Sequence, residues 1–389
     1  LNPFRPVGFE PQFDWFAPAE TSGYGRGPRP HIGYFFSYER LFWSLSAPET
    51  AFVGSETADP FFTSFANGPT VDNSFIGATA AWGNRWELGY VDTDDYGWLV
   101  SILDHVDQGQ YRTDLDPNIP LGDPGFLLFG GVAVQIPNTD PAQFSLELVP
   151  VPFIFANLRM KNILQLNGVE LTRFYRARRL HSGAYFELLY GARWFQLNDT
   201  FTVEADGNGD VGETRSISIG GPATVYTFPA NILDGSVWSN RGMNNLIGPQ
   251  IGCRFFKQRG RWVTSIEARF LAAANFQNIR NKTNLGSNTI ANQADINENI
   301  GIVFTGIGSD THLYRTMFSP LGELRVNASY QVTRNVGLKV GYTGMVVGNI
   351  VRGSNTIDYD SINLIGILND RFKQNFYVNG ISFGVEINR

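Results

Sequence analysis

Ten segments of this 389-residue chain alternate apolar and polar side chains with a period of two. That period is typical of β-strands, whose successive side chains point to opposite faces of a sheet. Several segments exceed about ten residues, whereas strands of soluble proteins average about 5 or 6. The predicted strands are residues 33–43, 84–91, 96–103, 164–176, 183–195, 245–256, 261–277, 322–332, 336–350 and 375–387.

The connections between these strands alternate in length. Four are tight turns, and the other five run from roughly 20 to 60 residues and are rich in Gly, Asn, Thr, Asp and Pro. Short turns at one end and long loops at the other are typical of outer-membrane barrels, whose short turns are periplasmic. The predicted long loops are residues 44–83, 104–163, 196–244, 278–321 and 351–374.

The sequence therefore predicts an all-β fold, a closed antiparallel transmembrane β-barrel of about ten strands in the bacterial outer membrane. Residues 32–389 form the barrel with its long extracellular loops, and both termini lie on the periplasmic side. Two further apolar segments, residues 126–136 and 144–155, would raise the count to twelve. They have no polar column and the second contains Pro150 and Pro152, so we interpret them as a packed element of the second long loop.

The two faces of each strand differ in chemistry. In a barrel the apolar column meets lipid and the polar column lines the lumen, whereas a soluble sandwich, the alternative, buries its apolar face. The predicted lipid-facing residues are Leu324, Val326, Tyr330, Leu338, Val340, Tyr342, Phe383 and Val385. The predicted lumen-lining charged residues are Glu39, Arg85, Glu87, Glu170, Arg176, Glu187, Arg193, Arg254, Glu267, Arg269, Glu323, Arg325, Lys339 and Glu386.

The two signs of charge nearly cancel in that lumen column, so we expect salt bridges between neighbouring strands. A barrel of about ten strands has a narrow bore, because roughly eight strands are already filled by their own side chains. The sequence thus predicts a largely plugged lumen that passes at most water or small ions. Arg40 and Arg173 do not fit, since both fall on the nominal lipid face.

Composition excludes several other functions. The net charge of −6 and pI of about 5.3 come without a basic stripe, so nucleic acid is not an expected partner. No run of 18 apolar residues is present to form a membrane-spanning helix. The single Cys253 excludes an internal disulfide and a Cys-based zinc site, and four scattered histidines offer no zinc cluster. We expect no cofactor.

One loop places oxygen ligands at alternate positions, as calcium loops do: Asp206, Asn208 and Asp210. Val211 stands where an EF-hand loop would have glycine, so the calcium site competes with an ordinary acidic loop tip. No catalytic residue is assigned. Asp104 and His105 are the most rim-like pair, but neighbours in a regular strand point to opposite faces. His312, near Asp310, lies in the fourth long loop.

Several short motifs, in their order and spacing, carry a family resemblance. They are the run Arg85 to Tyr90, the Tyr96-Gly97-Trp98 that follows a tight turn, the run Asn245 to Gly252, and Gly341-Tyr342. Together they resemble the planctomycete family of outer-membrane β-barrel porins that is seventh in the barrel-porin series, from about residue 31 to the C-terminus. The resemblance implies a cell-envelope barrel with a porin-like role and supplies no catalytic residue. Arg389 departs from it, because many barrels end in an aromatic residue.

Two functions fit these observations. The first is a porin-like barrel with a narrow, salt-bridged lumen, and the second is a structural or assembly barrel whose loops and N-terminal segment bind partner proteins. An outer-membrane hydrolase is a minor alternative. Expected partners are outer-membrane lipids and either further copies of the chain or an envelope protein complex. Residues 1–31 are interpreted as a periplasmic cap or docking arm, with a flexible tether as the alternative.

Overall fold

The structure is a computed structural model. It describes residues 32–53, 71–115, 126–137, 144–155, 157–177, 180, 182–206, 214–217, 224–227, 235–284, 302–303, 308–333, 335–358, 366–367 and 373–388. The predicted N-terminal segment and two of the three residues of the calcium motif, Asn208 and Asp210, lie outside these ranges.

Ten long strands form one closed antiparallel barrel, as predicted. Each strand pairs with its neighbour in the chain, and the last pairs with the first to close the ladder. The strands are β1 Gly33–Leu45, β2 Thr79–Val91, β3 Tyr96–Leu115, β4 Asn157–Arg176, β5 Ala184–Asp206, β6 Ser236–Arg259, β7 Trp262–Asn284, β8 Gly308–Gln331, β9 Val336–Ile350 and β10 Gln374–Asn388.

The apolar column faces outward. Leu324 and Val326 are 46% and 41% exposed on the outer surface, whereas Glu323 and Arg325 between them are buried. The same outward exposure is seen for Leu338, Val340, Tyr342, Phe383 and Val385, and Tyr330 is half-buried beside Trp262. A soluble sandwich would show the opposite orientation, so that alternative is wrong.

Tight turns join the strands at one end of the barrel. Between β2 and β3, Asp92 Oδ1 accepts hydrogen bonds from the backbone amides of Asp94 and Tyr96 at 3.0 and 2.8 Å. Only residues 260 and 261 separate β6 from β7, and Gly260 adopts a φ of +60° that favours glycine. Both termini of the barrel, at β1 and β10, lie at this short-turn end.

The strands extend beyond their predicted limits at the opposite end. β5 continues to Asp206, and in this extension the pattern is inverted: Phe201 and Val203 are buried inside, while Thr202 and Glu204 face outward. Above an apolar belt the outer face meets water, so polar residues there face out and the interior is filled by apolar ones. The connections are accordingly shorter than the loops that we predicted.

The two extra apolar segments do not enter the barrel. Residues Phe126–Pro137 and Phe144–Phe155 pair with each other and with residues 302–303 in a separate three-stranded sheet, so the barrel has ten strands and not twelve. Small two-stranded sheets occur in other connections. A single 3-10 turn, Gly353–Asn355, is the one helical element of the described ranges. No helix among the described residues is long and apolar enough to cross a membrane.

Candidate functional site in the barrel lumen

The lumen is filled in three layers, which follow one another from the short-turn end of the barrel. On β7, for example, the inward residues are first the charged Glu267 and Arg269, then Leu271 and Ala273, and then the amide-bearing Asn275. The first layer is ionic, the second is apolar, and the third is built from amides and an inserted loop.

The ionic layer contains the lumen-lining charged residues named from the sequence. Thirteen of the fourteen take part in ion pairs within the barrel: Glu39, Arg85, Glu87, Glu170, Arg176, Glu187, Arg193, Arg254, Glu267, Arg269, Glu323, Arg325 and Lys339. Glu386 lies half-buried at the short-turn rim, where it accepts a hydrogen bond from Asn388 Nδ2 at 3.0 Å. Every strand except β3 contributes to this layer.

Strand register places opposite charges side by side. The ladder pairs Glu39 with Arg85, Glu170 with Arg193, Arg176 with Glu187, Arg254 with Glu267, and Arg269 with Glu323. Directly opposed residues on one face of a sheet have their Cβ atoms only about 5 Å apart, so each pair is positioned by the backbone. The ionic layer is thus indicated in the sequence by two features together: the alternation of side chains along each strand and the register between neighbouring strands.

Glu323 lies at the centre of the ionic layer. Its Oε1 is 2.7 Å from Arg325 Nε and 3.5 Å from Arg85 Nη2, and its Oε2 is 2.5 Å from Arg193 Nη1. Arg325 also contacts Glu87 at 3.1 Å and Glu267 at 3.8 Å. Buried charges are tolerated only when they are paired and hydrogen-bonded, and here each acid meets several bases.

The apolar layer crosses the lumen above the ionic layer. Its largest members, Trp43, Phe195 and Phe376, have no exposed surface. The complete layer is Leu41, Trp43, Leu45, Ala81, Leu103, Val106, Leu164, Leu166, Phe195, Leu197, Leu246, Leu271, Ala273, Leu321, Met345, Val347, Ile350, Phe376 and Val378. None of these side chains is more than 6% exposed, so among the described residues the bore is occupied by side chains at this level.

Arginines cover the apolar layer from both sides. The guanidinium of Arg85 lies 5.2 Å from the ring centroid of Trp43, and that of Arg193 lies 5.5 Å from Phe195. From the third layer Arg352 lies 5.6 Å from Phe376. Cations over aromatic faces are attracted to the ring electrons, so these contacts connect the polar layers to the apolar one.

The third layer holds a loop that enters the barrel. Every residue from Val351 to Ile357, at the start of the connection between β9 and β10, is buried; we call this segment the plug loop. The Oδ2 atom of Asp199 on β5 accepts hydrogen bonds from Arg352 Nε at 2.8 Å and from the Gly353 amide at 3.0 Å. The other carboxylate oxygen, Oδ1, accepts one from Asn162 Nδ2 at 2.7 Å.

Barrel amides hold the backbone of the plug loop. Asn244 on β6 donates to the Val351 carbonyl at 2.8 Å and accepts from the Val351 amide at 2.9 Å. Asn240 donates to the Gly353 carbonyl at 2.9 Å and to Thr356 Oγ1 at 2.6 Å. A Cβ at Gly353 would lie 2.7 and 2.8 Å from backbone oxygens of β5 and β6, so only glycine fits against the wall.

A bulge at the end of β9 directs the chain inward. The register between β9 and β10 shifts after Val347, and Asn349 adopts a left-handed φ of 55°. Asn349 Nδ2 donates to the Phe318 carbonyl at 3.0 Å, while its own carbonyl accepts from Gln277 Nε2 at 3.0 Å. Asparagine tolerates this conformation better than most residues. The turn places Val351 above the apolar layer.

A chamber of about 180 Å³ lies below the ionic layer and opens toward the short-turn end. Its lining combines aromatic and charged side chains, among them Phe35, Phe174, Phe256, Glu187 and Arg254. The chamber ends at the ion pairs. It provides a vestibule and does not continue through the described lumen.

Of the residues considered for catalysis or metal binding, those that the structure describes lie away from the lumen. Asp104 and His105 do contact each other, with 2.5 Å between Oδ2 and Nδ1, because a bulge with φ of 53° at His105 turns both outward. The expectation that they point to opposite faces was therefore wrong. Asp310 forms an ion pair with Arg280 on the outer surface, and its Oδ1 atom lies 3.2 Å from His312 Nε2. The hydrogen bond from Arg280 holds the pKa of Asp310 below its usual value, which favours an ion-pair role over that of a base.

Asp206, the one calcium-motif residue in a described strand, is 3.2 Å from Arg159 Nη2. Within the described ranges no group of three or more His, Cys, Asp or Glu is arranged to hold a metal. Asn208 and Asp210 lie outside them.

Sequence reasoning missed the apolar layer and the plug loop. Leu41, Trp43 and Leu45 do alternate with outward residues, but their apolar character was not expected in a lumen. Asp199 and Arg352 are 153 residues apart and lay in predicted loops, so no local pattern linked them. One sequence feature could have indicated the plug loop: the inward amide side chains of β6 and β7, which are costly to bury without partners. They are Asn240, Asn244, Asn275 and Gln277.

An antiparallel barrel with an apolar outer belt and an interior filled by its own side chains defines an outer-membrane β-barrel protein. The family model described as Putative beta barrel porin-7 (BBP7) matches residues 144–388, more than half of the chain. The chain belongs to this porin family. No curated protein sequence matches it.

Solved structures of outer-membrane proteins are similar in outline. The outer membrane protease OmpT from Escherichia coli aligns with 10% identity over 95% of this chain and 100% of its own, with a TM-score of 0.41. The toluene transporter TbuX from Ralstonia pickettii aligns with 8% identity over 92% of this chain and 90% of its own, with a TM-score of 0.27. A FadL homologue from Pseudomonas aeruginosa aligns with 7% identity over 97% of this chain and 93% of its own, with a TM-score of 0.22. All three scores lie below 0.5, so no activity is transferred from these proteins.

Proposed function

We propose that this protein is a sealed barrel of the outer membrane with a structural or assembly role, and not a diffusion pore. The apolar layer carries this proposal. A solute path would have to cross a close-packed set of side chains that includes Trp43, Phe195 and Phe376, all without exposed surface. A pore needs a continuous polar or wet path through the membrane.

A porin-like function is the second candidate. It is favoured by the vestibule, which leads water to the ionic layer from the short-turn end, and by membership of a porin family. Passage through the barrel would require the plug loop to leave and the apolar layer to part. Because the plug loop donates two hydrogen bonds to Asp199 and makes several more with barrel amides, we rank this function second.

The remaining features of the proposal concern the surroundings of the barrel. We propose that its termini are periplasmic, since they lie at the short-turn end, and that the cell is a planctomycete, as the motif resemblance implies. The belt contacts outer-membrane lipids, while the connections and the N-terminal segment bind envelope proteins. We propose neither an enzymatic activity, nor a nucleic-acid partner, nor a cofactor. Calcium at Asp206, Asn208 and Asp210 remains a hypothesis for that connection.

Single-channel conductance in planar bilayers tests the proposal. We expect the purified wild-type protein to give no reproducible conductance steps, because the apolar layer excludes water. The matched control is a variant that lacks residues 351–357 and carries Trp43→Ala and Phe376→Ala, provided that it still migrates as a folded barrel. This variant should conduct. Reproducible steps from the wild-type protein would support the porin-like function instead.

A further inference from the structure

Along three neighbouring strands, β7 to β9, the outer belt carries no charge. On β7 the outward residues from Trp262 to Phe276 include no charged side chain, and the same is true from Phe318 to Tyr330 on β8 and from Leu338 to Val346 on β9. On β1 to β3, by contrast, charged and amide side chains interrupt the belt. Charges on the lipid face destabilise a barrel, most of all near the middle of the membrane.

Arg40 is the first of these residues. It faces outward on β1 between Tyr38 and Phe42, and it lies opposite Phe383 on β10, so apolar and aromatic side chains surround it within the belt. Its Nη1 donates to Asn84 Oδ1 at 2.7 Å, and its guanidinium lies 5.4 Å from the ring centroid of Trp82. These contacts hold the group beside β2, but they leave its charge without an acidic partner in the described structure.

Asn84, Asp104 and His105 continue the row across the next two strands. Asn84 lies between Trp82 and Trp86 on β2 and pairs in the ladder with both Arg40 and Asp104. The bulge on β3 turns Asp104 and His105 outward together, with side chains that are 41% and 72% exposed. We call Arg40, Asn84, Asp104 and His105 the belt patch. It has a basic residue on one flank of Asn84 and an acidic residue on the other.

We propose that the belt patch is the interface with a second copy of this chain. Two copies inserted in the same direction are related by a two-fold axis parallel to the barrel axis, and such an interface is self-complementary. With the axis beside Asn84, Arg40 of each copy faces Asp104 of the other. Aromatic side chains such as Trp82 and Trp86 surround the two ion pairs and exclude lipid from them. This inference does not depend on whether the lumen is sealed.

Charge reversal tests the interface. We expect the wild-type protein, labelled with donor and acceptor dyes and reconstituted in dilute vesicles, to show energy transfer from dimers. Arg40→Asp and Asp104→Arg each place like charges across the axis, so each should weaken dimerisation by about tenfold or more. The double variant restores opposite charges and should recover the wild-type signal. Arg173→Asp, an outward arginine outside the patch that lies over Tyr96, is the matched control and should change nothing.

Each variant is first checked for the heat-modified gel mobility of a folded barrel, so that loss of folding is not read as loss of dimerisation. The double variant provides a second check, since recovery of the signal requires both chains to be folded. A wild-type protein without energy transfer would overturn the proposal, as would single reversals that remain dimeric. Co-purification of a different protein at equal stoichiometry with a monomeric chain would also overturn it.

Discussion

Replacing Asp199 with alanine is expected to release the plug loop and to lower the free energy of unfolding by about 3–5 kcal/mol. Asp199 is fully buried and is the carboxylate that pairs with Arg352, which is only 1% exposed. Without it, a buried guanidinium loses its carboxylate and keeps only the hydrogen bond to the Ser46 carbonyl at 3.2 Å, and the amide of Gly353 loses its acceptor. Expulsion of the loop to solvent is then the less costly outcome.

Two measurements test the effect of Asp199→Ala. Urea-dependent unfolding in vesicles gives the loss of stability, and trypsin digestion with mass spectrometry reports cleavage after Arg352, which burial prevents in the wild-type protein. Asp206→Ala is the matched control on the same strand. Its partner Arg159 is largely exposed, so we expect at most about 1 kcal/mol and no new cleavage. An Asp199→Ala protein that resists trypsin at Arg352 would show that the pair does not hold the loop.

Replacing Glu323 with alanine is expected to be comparably destabilising, by about 3–5 kcal/mol. Glu323 contacts Arg85, Arg193 and Arg325, all of which are buried. Its removal leaves an excess of positive charge at the centre of the ionic layer, where water does not replace the lost partner. The thirteen ion-paired residues of the wild-type layer are six acids and seven bases, so the loss of one acid has no local compensation.

The matched control for this change is Glu386→Ala, at the rim of the same lumen. Glu386 is half-buried, and the hydrogen bond that the structure gives it comes from Asn388, so we expect a loss below about 1 kcal/mol. Urea-dependent unfolding of both variants provides the comparison. Equal losses at the two positions would contradict the view that pairing in the ionic layer, and not acidity of the lumen as such, stabilises the barrel.

The belt and the ionic layer were predictable because both follow a simple period. Leu324, Glu323 and their neighbours alternate within the belt, where lipid outside and a polar interior give the two faces opposite chemistry. The count of ten strands and the tight turns come from the same pattern. The register of neighbouring strands then places opposite charges such as Glu170 and Arg193 side by side. This register follows from an alternation that continues without interruption along both strands.

The upper part of the barrel could not be predicted in this way. Beyond the belt the outer face is hydrated, so Thr202 and Glu204 face out while Phe201 and Val203 fill the interior, which inverts the expected assignment of faces. The bulges at His105 and Asn349 change side-chain direction by one residue, and local composition does not reveal them. The plug loop depends on contacts between residues far apart in the chain, such as Asp199 and Arg352.

Water accessibility inside the lumen tests the central claim, a dry apolar layer above a wet vestibule. In a Cys253→Ser background, Ser329→Cys places a thiol of similar size in the vestibule lining on β8, and Val347→Cys places one in the apolar layer on β9. We expect a small, water-soluble thiol reagent to modify Ser329→Cys readily and Val347→Cys only after denaturation. Modification of Val347→Cys in the folded barrel at the rate of Ser329→Cys would contradict a sealed lumen.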